Sequence, residues 1–292
     1  MSARTRVLAR ASALVGAVLA VCLVVPVGSA QAASGQDCGQ TIYKSDGTPW
    51  KCTFADDFNG SSLDRTKWVP QLTSTSGYNQ GTGCFVDSPR TISQSGGQLQ
   101  LSTIRENLPF YCASGSSYFG TWYNSGMVTS FTKFAQAYGR FEFRATFPDV
   151  GTPGLQSSLW LWPENYFTYG ALSGEIDVAE WYSSYSDRVI PYLHYTPLLG
   201  DPNMTNNYCM VTRGQPHTYR LDWTPTSITI SYDDKVCLRN TNWLPLGLLS
   251  PAPFNVPFFL ALTQMPGAGD NAPTWATPQV GTMKVDYVRV WS

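Results

Sequence analysis

Hydrophobic and polar residues alternate with a period of two along short stretches of the chain. Residues 98–102, 140–144 and 227–232 show this pattern most clearly, and clusters of Gly, Asn, Asp and Pro separate such stretches. Because alternate residues of a strand point to opposite faces, the pattern predicts half-buried β-strands joined by turns. No long helical periodicity, internal repeat or Ser/Pro-rich linker interrupts the series. We therefore expect an all-β domain.

Three carboxylates fall within six residues of the segment 174–181, in a chain that is only 13% charged. Glu175 and Asp177 are two residues apart, so a strand turns both to the same face. Glu180 would face the other way in a regular strand, but a β-bulge around Val178 and Ala179 would return it to the acidic face. The two glutamates would then lie roughly 5 to 6 Å apart, the separation that a retaining glycosidase needs.

Aromatic residues surround this acidic segment. Trp181 follows Glu180 directly, and Trp160 and Trp162 lie on the preceding predicted strand. Indole rings stack on the C–H faces of sugar rings, and an apolar wall raises the pKa of a carboxylic acid toward the value that a general acid needs. The alternative is a structural acidic cluster, a solvated strand face or a cation site, but polar residues would then alternate with the acids. The segment therefore indicates a sugar-binding cleft.

Four other segments carry a recognisable pattern in a fixed order. They are residues 56–64, 138–145, 217–225 and 285–291, which begin Asp-Asp-Phe-Asn-Gly, Tyr-Gly-Arg-Phe, His-Thr-Tyr-Arg and Val-Asp-Tyr-Val. Together with the acidic segment, they resemble glycoside hydrolase family 16, which contains laminarinases, lichenases, agarases and carrageenases. The resemblance implies a concanavalin A-like β-jelly roll, a sandwich of two antiparallel sheets with a concave substrate cleft.

Carried over residue by residue, the resemblance implies three catalytic roles. Glu175 would be the nucleophile, Asp177 its assisting carboxylate and Glu180 the general acid/base. The chemistry agrees, because a glutamate can attack the anomeric carbon while a second glutamate protonates the departing oxygen and later deprotonates a water molecule. Acids this close titrate as a coupled set, so one of them should have a raised pKa.

The resemblance also implies residues that contact the sugar. Trp160 corresponds to a position on the cleft floor, His194 to a cleft histidine on the next strand, and Asn79 to a sugar-binding asparagine. Trp181 is expected in the cleft beside Glu180, and Trp275 lies in a long loop of the kind that rims such clefts. The alternatives are a half-buried structural histidine for His194 and packing for Trp275.

The first 33 residues have the features of a secretory signal peptide. Arg4, Arg6 and Arg10 precede an apolar stretch over residues 11–27, and Ala30-Gln31-Ala32 is a small-residue cleavage site. A retained membrane anchor is the alternative, although no basic stop-transfer flank follows. We expect a secreted protein in which residues 34–292 form one catalytic domain.

Six cysteines remain after the predicted leader, an even number that fits disulfides in an oxidising compartment. No pair has the Cys-x-x-Cys spacing of a zinc or redox site. The simplest connectivity is sequential, and free buried cysteines are the alternative. The predicted pairs are Cys38 with Cys52, Cys84 with Cys112, and Cys209 with Cys237.

The net charge and the absence of several sequence motifs exclude some classes of partner and enzyme. A net charge of -1 with scattered Lys and Arg disfavours nucleic acid and strongly sulfated polymers. No Gly-x-Ser-x-Gly elbow, phosphate loop or His-Glu-x-x-His motif is present. A retaining glycosidase needs no cofactor. Asp286 resembles a position where relatives hold a structural calcium ion, and an ordinary ion pair is the alternative.

We therefore predict a secreted, monomeric, retaining endo-glycosidase that hydrolyses a β-linked polysaccharide by double displacement. The bulged motif favours β-1,3-glucan of the laminarin type. Two departures from the family pattern keep galactan, agar-type and mixed-linkage polymers open: Tyr169, Gly170 and Ala171 replace a usual Trp, and a usual Asn is missing near Gln264. Transglycosylation uses the same residues, and a lectin-like carbohydrate-binding module is the non-enzymatic alternative.

Overall fold

The structure is a computed structural model that describes residues 37–241 and 243–292. The predicted signal peptide over residues 1–33 lies outside the described residues and stays a prediction, as does the domain boundary that follows it. Among the described helices, none combines the length and the apolar character needed to cross a bilayer.

The described chain consists almost entirely of strands, as the period-two pattern predicted. Its helical elements are short: one α-helical turn, α1 (Thr73–Ser76), and 3-10 turns at Tyr166–Thr168, Gly170–Leu172, Ser183–Tyr185, Pro202–Met204 and Gly269–Asn271. The strands are β1 (Cys52–Asp56), β2 (Val69–Pro70), β3 (Gly83–Phe85), β4 (Ile92–Ser95), β5 (Gln98–Ser114), β6 (Ser117–Thr129), β7 (Ala135–Gln136), β8 (Gly139–Thr146), β9 (Leu155–Pro163), β10 (Glu175–Tyr182), β11 (Ile190–His194), β12 (Pro216–Thr224), β13 (Ser227–Tyr232), β14 (Lys235–Asn240), β15 (Phe258–Pro266) and β16 (Val280–Trp291).

The strands form two sheets. The first has the order β11-β10-β9-β15-β6, with β2 beside β6 and β7 beside β15. The second continues from β6 through β5, β16, β8, β12 and β13 to β14. The pairing is antiparallel except between β3 and β6. The long strand β6 belongs to both sheets and links them into one hydrogen-bonded path.

One hydrophobic core fills the space between the sheets. In β8, Phe141, Phe143 and Ala145 are fully buried and alternate with half-buried polar residues, as period two requires. The first sheet contributes Leu159, Leu161 and its neighbours on β10 and β15. Burying a large apolar side chain stabilises a fold by roughly 1.5 to 3 kcal/mol. Since one face of the first sheet is committed to this core, its opposite face is free to carry a site.

Three disulfides close loops at the edges of the sandwich, and the predicted sequential pairing is confirmed. Cys38 pairs with Cys52, Cys84 with Cys112 and Cys209 with Cys237, over 14, 28 and 28 residues. The first fastens the segment before β1, the second joins β3 to β5, and the third joins the loop after β11 to β14. Each crosslink restricts the unfolded chain and thereby stabilises the fold.

Candidate active site

The acidic segment forms β10, and this strand contains the predicted bulge. Against β9, Asp177 pairs with Trp160 and Ala179 pairs with Leu159, so Val178 is an extra residue without a partner. The register with β11 shifts at the same place. Both Val178 and Ala179 point into the core and are fully buried. The bulge therefore returns Glu180 to the outer face of the first sheet, where Glu175 and Asp177 also lie.

Contacts from behind the sheet hold the bulge in place. The hydroxyl of Tyr232, on β13 of the opposite sheet, donates a hydrogen bond of 2.8 Å to the carbonyl of Val178. This bond satisfies a carbonyl that the bulge takes out of the regular ladder. Gly174 packs on Phe254 so closely that a Cβ atom there would lie 2.6 Å from the ring. The position just before β10 therefore requires glycine.

The carboxyl groups are close and poorly solvated. Asp177 is only 3% exposed, whereas Glu175 and Glu180 are half-buried. His194 Nε2 lies 2.8 Å from Asp177 Oδ2, and one ligand atom from each of Asp177, Glu180 and His194 falls within 4.8 Å of the other two. In the register of β10 and β11, Glu175 lies opposite His194. The acids, with His194 beside them, form one coupled group on one face.

Burial controls the protonation of this group. It raises the pKa of Glu175 to about 8, with a further contribution from the charge of Asp177, while His194 opposes the shift. Burial and then the charge of Glu180 raise the pKa of Asp177 well above its usual range. The pKa of Glu180 is raised by burial as well. The site therefore holds protons at pH values where exposed carboxylic acids would be ionised.

Two side chains orient Glu180. Its Oε1 accepts hydrogen bonds from the Tyr182 hydroxyl at 2.9 Å and from Gln156 Nε2 at 3.2 Å. Both partners favour the ionised form and limit the rise in its pKa. The sequence interpretation did not assign these roles. Strand periodicity could have identified both residues. Tyr182 is two residues beyond Glu180 on the same strand, and Gln156 is two residues before Ser158, which pairs with Glu180 on β9.

Aromatic residues form the floor beside the acids. Trp160 is nearly buried on the outer face, and its indole N–H donates to Thr263 Oγ1 at 2.9 Å. Tyr78 stacks toward Trp160 with ring centroids 6.5 Å apart. Burial and the charges of Glu175, Asp177 and Glu180 raise the pKa of Tyr78. The acids therefore face a surface of aromatic rings.

The model of the family described as Glycosyl hydrolases family 16 matches residues 82–289. The chain belongs to this family. An endo-1,3-1,4-beta-glycanase of Rhizobium meliloti is 25% identical over 256 residues, covering 82% of this chain and 51% of that protein. A glucan endo-1,3-beta-glucosidase of Cryptopygus antarcticus is 26% identical over 274 residues, covering 83% of this chain and 92% of that protein. This chain thus spans about half of the first relative.

Solved structures of the family share the fold. The laminarinase from Rhodothermus marinus superposes with a TM-score of 0.68 at 27% identity, covering 83% of this chain and 97% of that chain. This likeness, together with the two antiparallel layers, confirms the predicted jelly roll. The expected membership of glycoside hydrolase family 16 is confirmed as well.

The prediction that Trp181 contacts sugar in this family 16 chain is wrong. Trp181 is only 1% exposed and stacks on Phe147 in the core, with ring centroids 6.1 Å apart. The reason is the alternation of the strand after the bulge. Once Glu180 is on the outer face, the next residue must point inward.

The other four predicted sugar contacts have different surroundings. Trp160 and His194 belong to the site just described. Asn79 is exposed, and its amide lies 3.5 Å from Ser114 Oγ on β5. Trp275 is 93% exposed and lines a separate pocket with Trp122. A sugar-binding role for these residues stays a prediction.

Asp286 does not have the surroundings of a calcium ligand. Its carboxylate accepts a hydrogen bond of 2.6 Å from Gln98 and lies 3.4 Å from the Arg144 guanidinium. Asp57, just after β1, is paired with Arg289 at 2.9 Å. A guanidinium and an amide N–H would repel a cation, so these residues do not fit the calcium ion and fit the alternative ion pair. The cluster of Asp177, Glu180 and His194 has ligand atoms close enough to share a metal ion, but a cation there would occupy the carboxylates.

The bond from Tyr232 to the bulge gives a first test. Tyr232→Phe leaves the Val178 carbonyl without this partner and should destabilise the protein by about 1 to 3 kcal/mol. Because Glu180 is aimed by the bulge, kcat should fall several-fold with little change in KM. The control Tyr287→Phe loses a hydrogen bond of 2.9 Å to Glu142, between β16 and β8 of the second sheet. Equal kcat values for the two variants would contradict a positioning role for Tyr232.

The raised pKa of Glu175 gives a second test. Its pKa rises from 4.5 to about 8 on folding, so between these pH values the folded protein holds a proton that the unfolded chain has released. The contribution of Glu175 to wild-type stability therefore falls as pH rises through this window, and Glu175→Gln removes that contribution. We expect the free energy of unfolding of the variant, relative to that of wild type, to increase by up to about 5 kcal/mol from the low-pH end of the window to the high-pH end. Urea unfolding at each pH measures this difference.

The control for this measurement is Glu106→Gln. Hydrogen bonds from Arg90 and Asn124 lower the pKa of Glu106, so its replacement should not produce a gain that grows with pH. A constant stability difference between Glu175→Gln and wild type across the window would show that burial does not perturb Glu175.

Proposed function

We propose that the chain is an endo-acting β-glucan hydrolase that works by double displacement with retention of the anomeric configuration. The observation that carries this proposal is the bulge at Val178, because it brings Glu180 to the same face as Glu175 with Asp177 between them. A short separation of two carboxyls on one face leaves no room for a water molecule to attack directly, and it suits a covalent intermediate.

The reaction then has two steps. In the first, a Glu175 carboxylate oxygen attacks the anomeric carbon, and the bond to the leaving oxygen breaks as that oxygen takes the proton of Glu180. In the second, ionised Glu180 takes a proton from water, the water oxygen attacks the anomeric carbon, and the ester to Glu175 breaks. Glu180 ends protonated again. Tyr182 and Gln156 bind only its Oε1 in the structure, which leaves Oε2 for the proton transfer.

Glu175 must be ionised before it attacks. With its pKa raised to about 8, it holds a proton over much of the neutral range in the free protein. Asp177 is the nearest acceptor for that proton and is itself shielded from water. Once protonated, Asp177 can donate a hydrogen bond to the ionised nucleophile, while His194 Nε2 lies 2.8 Å from Asp177 Oδ2. Asp177 thus positions Glu175 and stores its proton.

The substrate is proposed to be a β-1,3-glucan. Support comes from the relatives, since the proteins from Cryptopygus antarcticus and Rhodothermus marinus are named as a glucan endo-1,3-beta-glucosidase and a laminarinase. A mixed-linkage glucan is the second candidate, because the Rhizobium meliloti relative is named as an endo-1,3-1,4-beta-glycanase. The disulfides support a site of action outside the cell, as the predicted leader also implies.

Product analysis tests this function. The protein should release oligosaccharides from laminarin, release fewer from lichenan and leave agarose and arabinogalactan intact. Glu175→Gln and Glu180→Gln should each reduce turnover by roughly a hundredfold to ten-thousandfold. Asp177→Asn should be slower than wild type without being inactive, because Asp177 forms no bond to the sugar. Azide should restore activity to Glu175→Gly by replacing the nucleophile.

The control is Glu142→Gln, on β8 of the other sheet, which should keep wild-type turnover. Full activity in either catalytic glutamine variant would overturn the assignment of the acids. Binding of laminarin without any release of product would favour the lectin-like alternative, and longer products than the starting oligosaccharide would identify transglycosylation.

A further inference from the structure

A crevice lies between the β5–β6 hairpin and the loop that precedes β16. It has a volume of about 410 Å³, and its lining includes Arg105, Trp122, Tyr123, Thr274 and Trp275. Among the described residues that line it, Arg105 is the only charged one, and none of the three catalytic acids is present. We call it the Trp122 crevice. It is a cavity with its own walls, distinct from the catalytic group.

A break in the pairing of β5 with β6 opens the Trp122 crevice. Arg105 pairs with Tyr123 and Phe110 pairs with Thr121, so the four residues 106–109 stand opposite Trp122. An insertion of this kind bends the strand, interrupts the ladder and redirects the side chains beside it. Trp122 therefore has no paired residue on β5, and 40% of its surface is exposed.

Arg105 brings an uncompensated positive charge to the crevice. Eight of the ten described arginines form an ion pair with a carboxylate, and Arg105 is one of the two that do not. The neighbouring acid, Glu106, is already bound by Arg90 at 2.9 Å and by Asn124 at 2.8 Å. The N–H donors of Arg105 are therefore available to a ligand.

Contacts on two sides hold Arg105 in place without using those donors. Its guanidinium lies over the Trp122 ring, 5.6 Å from the ring centroid, in a cation–π contact. Its backbone N–H donates to the carbonyl of Gln279 at 2.7 Å, which fixes the strand beneath the side chain. A charged group that is positioned in advance loses little entropy when it binds a ligand.

The facing wall of the crevice is an indole ring. Trp275 is almost fully exposed, and a large apolar surface left in water is unfavourable until a ligand covers it. An indole face suits the C–H face of a pyranose, and a guanidinium fork suits the paired oxygens of a carboxylate or sulfate. The two walls together match a sugar ring that carries an oxyanion.

We propose that the Trp122 crevice is a second saccharide site that binds one acidic pyranose unit. The ring of the unit stacks on Trp275, and its oxyanion accepts hydrogen bonds from Arg105, which Trp122 holds in position. This inference goes beyond the proposed function, because it names a site apart from the acids and a charged ligand. Such a site attaches the enzyme to a polymer that carries acidic units and takes no part in bond cleavage.

NMR titration tests this proposal with methyl β-D-glucuronide, methyl β-D-glucoside 6-sulfate and methyl β-D-glucoside, which share a ring and differ at C6. The indole N–H signals of Trp122 and Trp275 report binding in the crevice itself. Wild-type protein should bind the better anionic probe about tenfold to a hundredfold more tightly than the neutral one, the range for a hydrogen bond to a charged group. Which anionic probe binds better identifies the oxyanion.

Two variants separate the contributions of charge and ring. Arg105→Gln removes the charge and should bring the ratio of anionic to neutral affinity to about one. Trp275→Ala removes the ring contact and should weaken all three probes alike, by about twofold to tenfold, read from the Trp122 signal. Because Arg105 is outside the catalytic group, Arg105→Gln should hydrolyse laminarin as wild type does.

Arg65→Gln is the matched control, since Arg65 is an exposed arginine that pairs with Asp87 at 2.8 Å and is absent from the crevice lining. It should keep the wild-type ratio. Equal affinity of wild type for all three probes, or a preference for anions that survives Arg105→Gln, would overturn the site. Failure of wild type to hydrolyse laminarin would count against the proposed function and leave this binding test intact.

Discussion

The site depends on one extra residue in a strand. A regular strand presents alternate side chains to one face, so acids at positions 175, 177 and 180 cannot share a face without a break in the alternation. Val178 provides that break, and its carbonyl is held by Tyr232 from the opposite sheet. Without the bulge, Glu180 would enter the hydrophobic core as an unpaired acid, at a cost of several kcal/mol. The core thus enforces the geometry that the chemistry requires.

The same packing that fixes the acids also sets their protonation. Asp177 lies almost fully inside the protein, and burial raises the pKa of each of the three carboxyls. Ionising them all would place like charges side by side in a poorly solvated cleft, which destabilises the fold. The hydrogen bonds from Tyr182, Gln156 and His194 limit this cost. The arrangement therefore lowers the stability of the fold, and it holds a protonated acid next to the nucleophile.

Much of this arrangement could be predicted because it follows from local periodicity. The alternation in β5, β8 and β13, the bulge in β10 and the sequential disulfides each depend on neighbouring residues or on short loops. The prediction that Trp181 lies in the cleft is wrong because consecutive residues of a strand point to opposite faces. The alternation that predicts the bulge also turns Trp181 into the core.

What could not be predicted depends on contacts between distant parts of the chain. Tyr232 is 54 residues from Val178, and Thr263 is 103 residues from Trp160. Strand β6 joins both sheets because it is long and pairs with β15 in one sheet and with β5 in the other. No local sequence pattern predicts these pairings.

The most direct test of the account is proton NMR of freshly cut laminari-oligosaccharide, recorded before the anomers equilibrate. If the bulge brings Glu180 close to Glu175, hydrolysis passes through a covalent intermediate and the β-anomer appears first. An α-anomer appearing first would require a water molecule between the two carboxyls and would contradict the short separation on which the account depends.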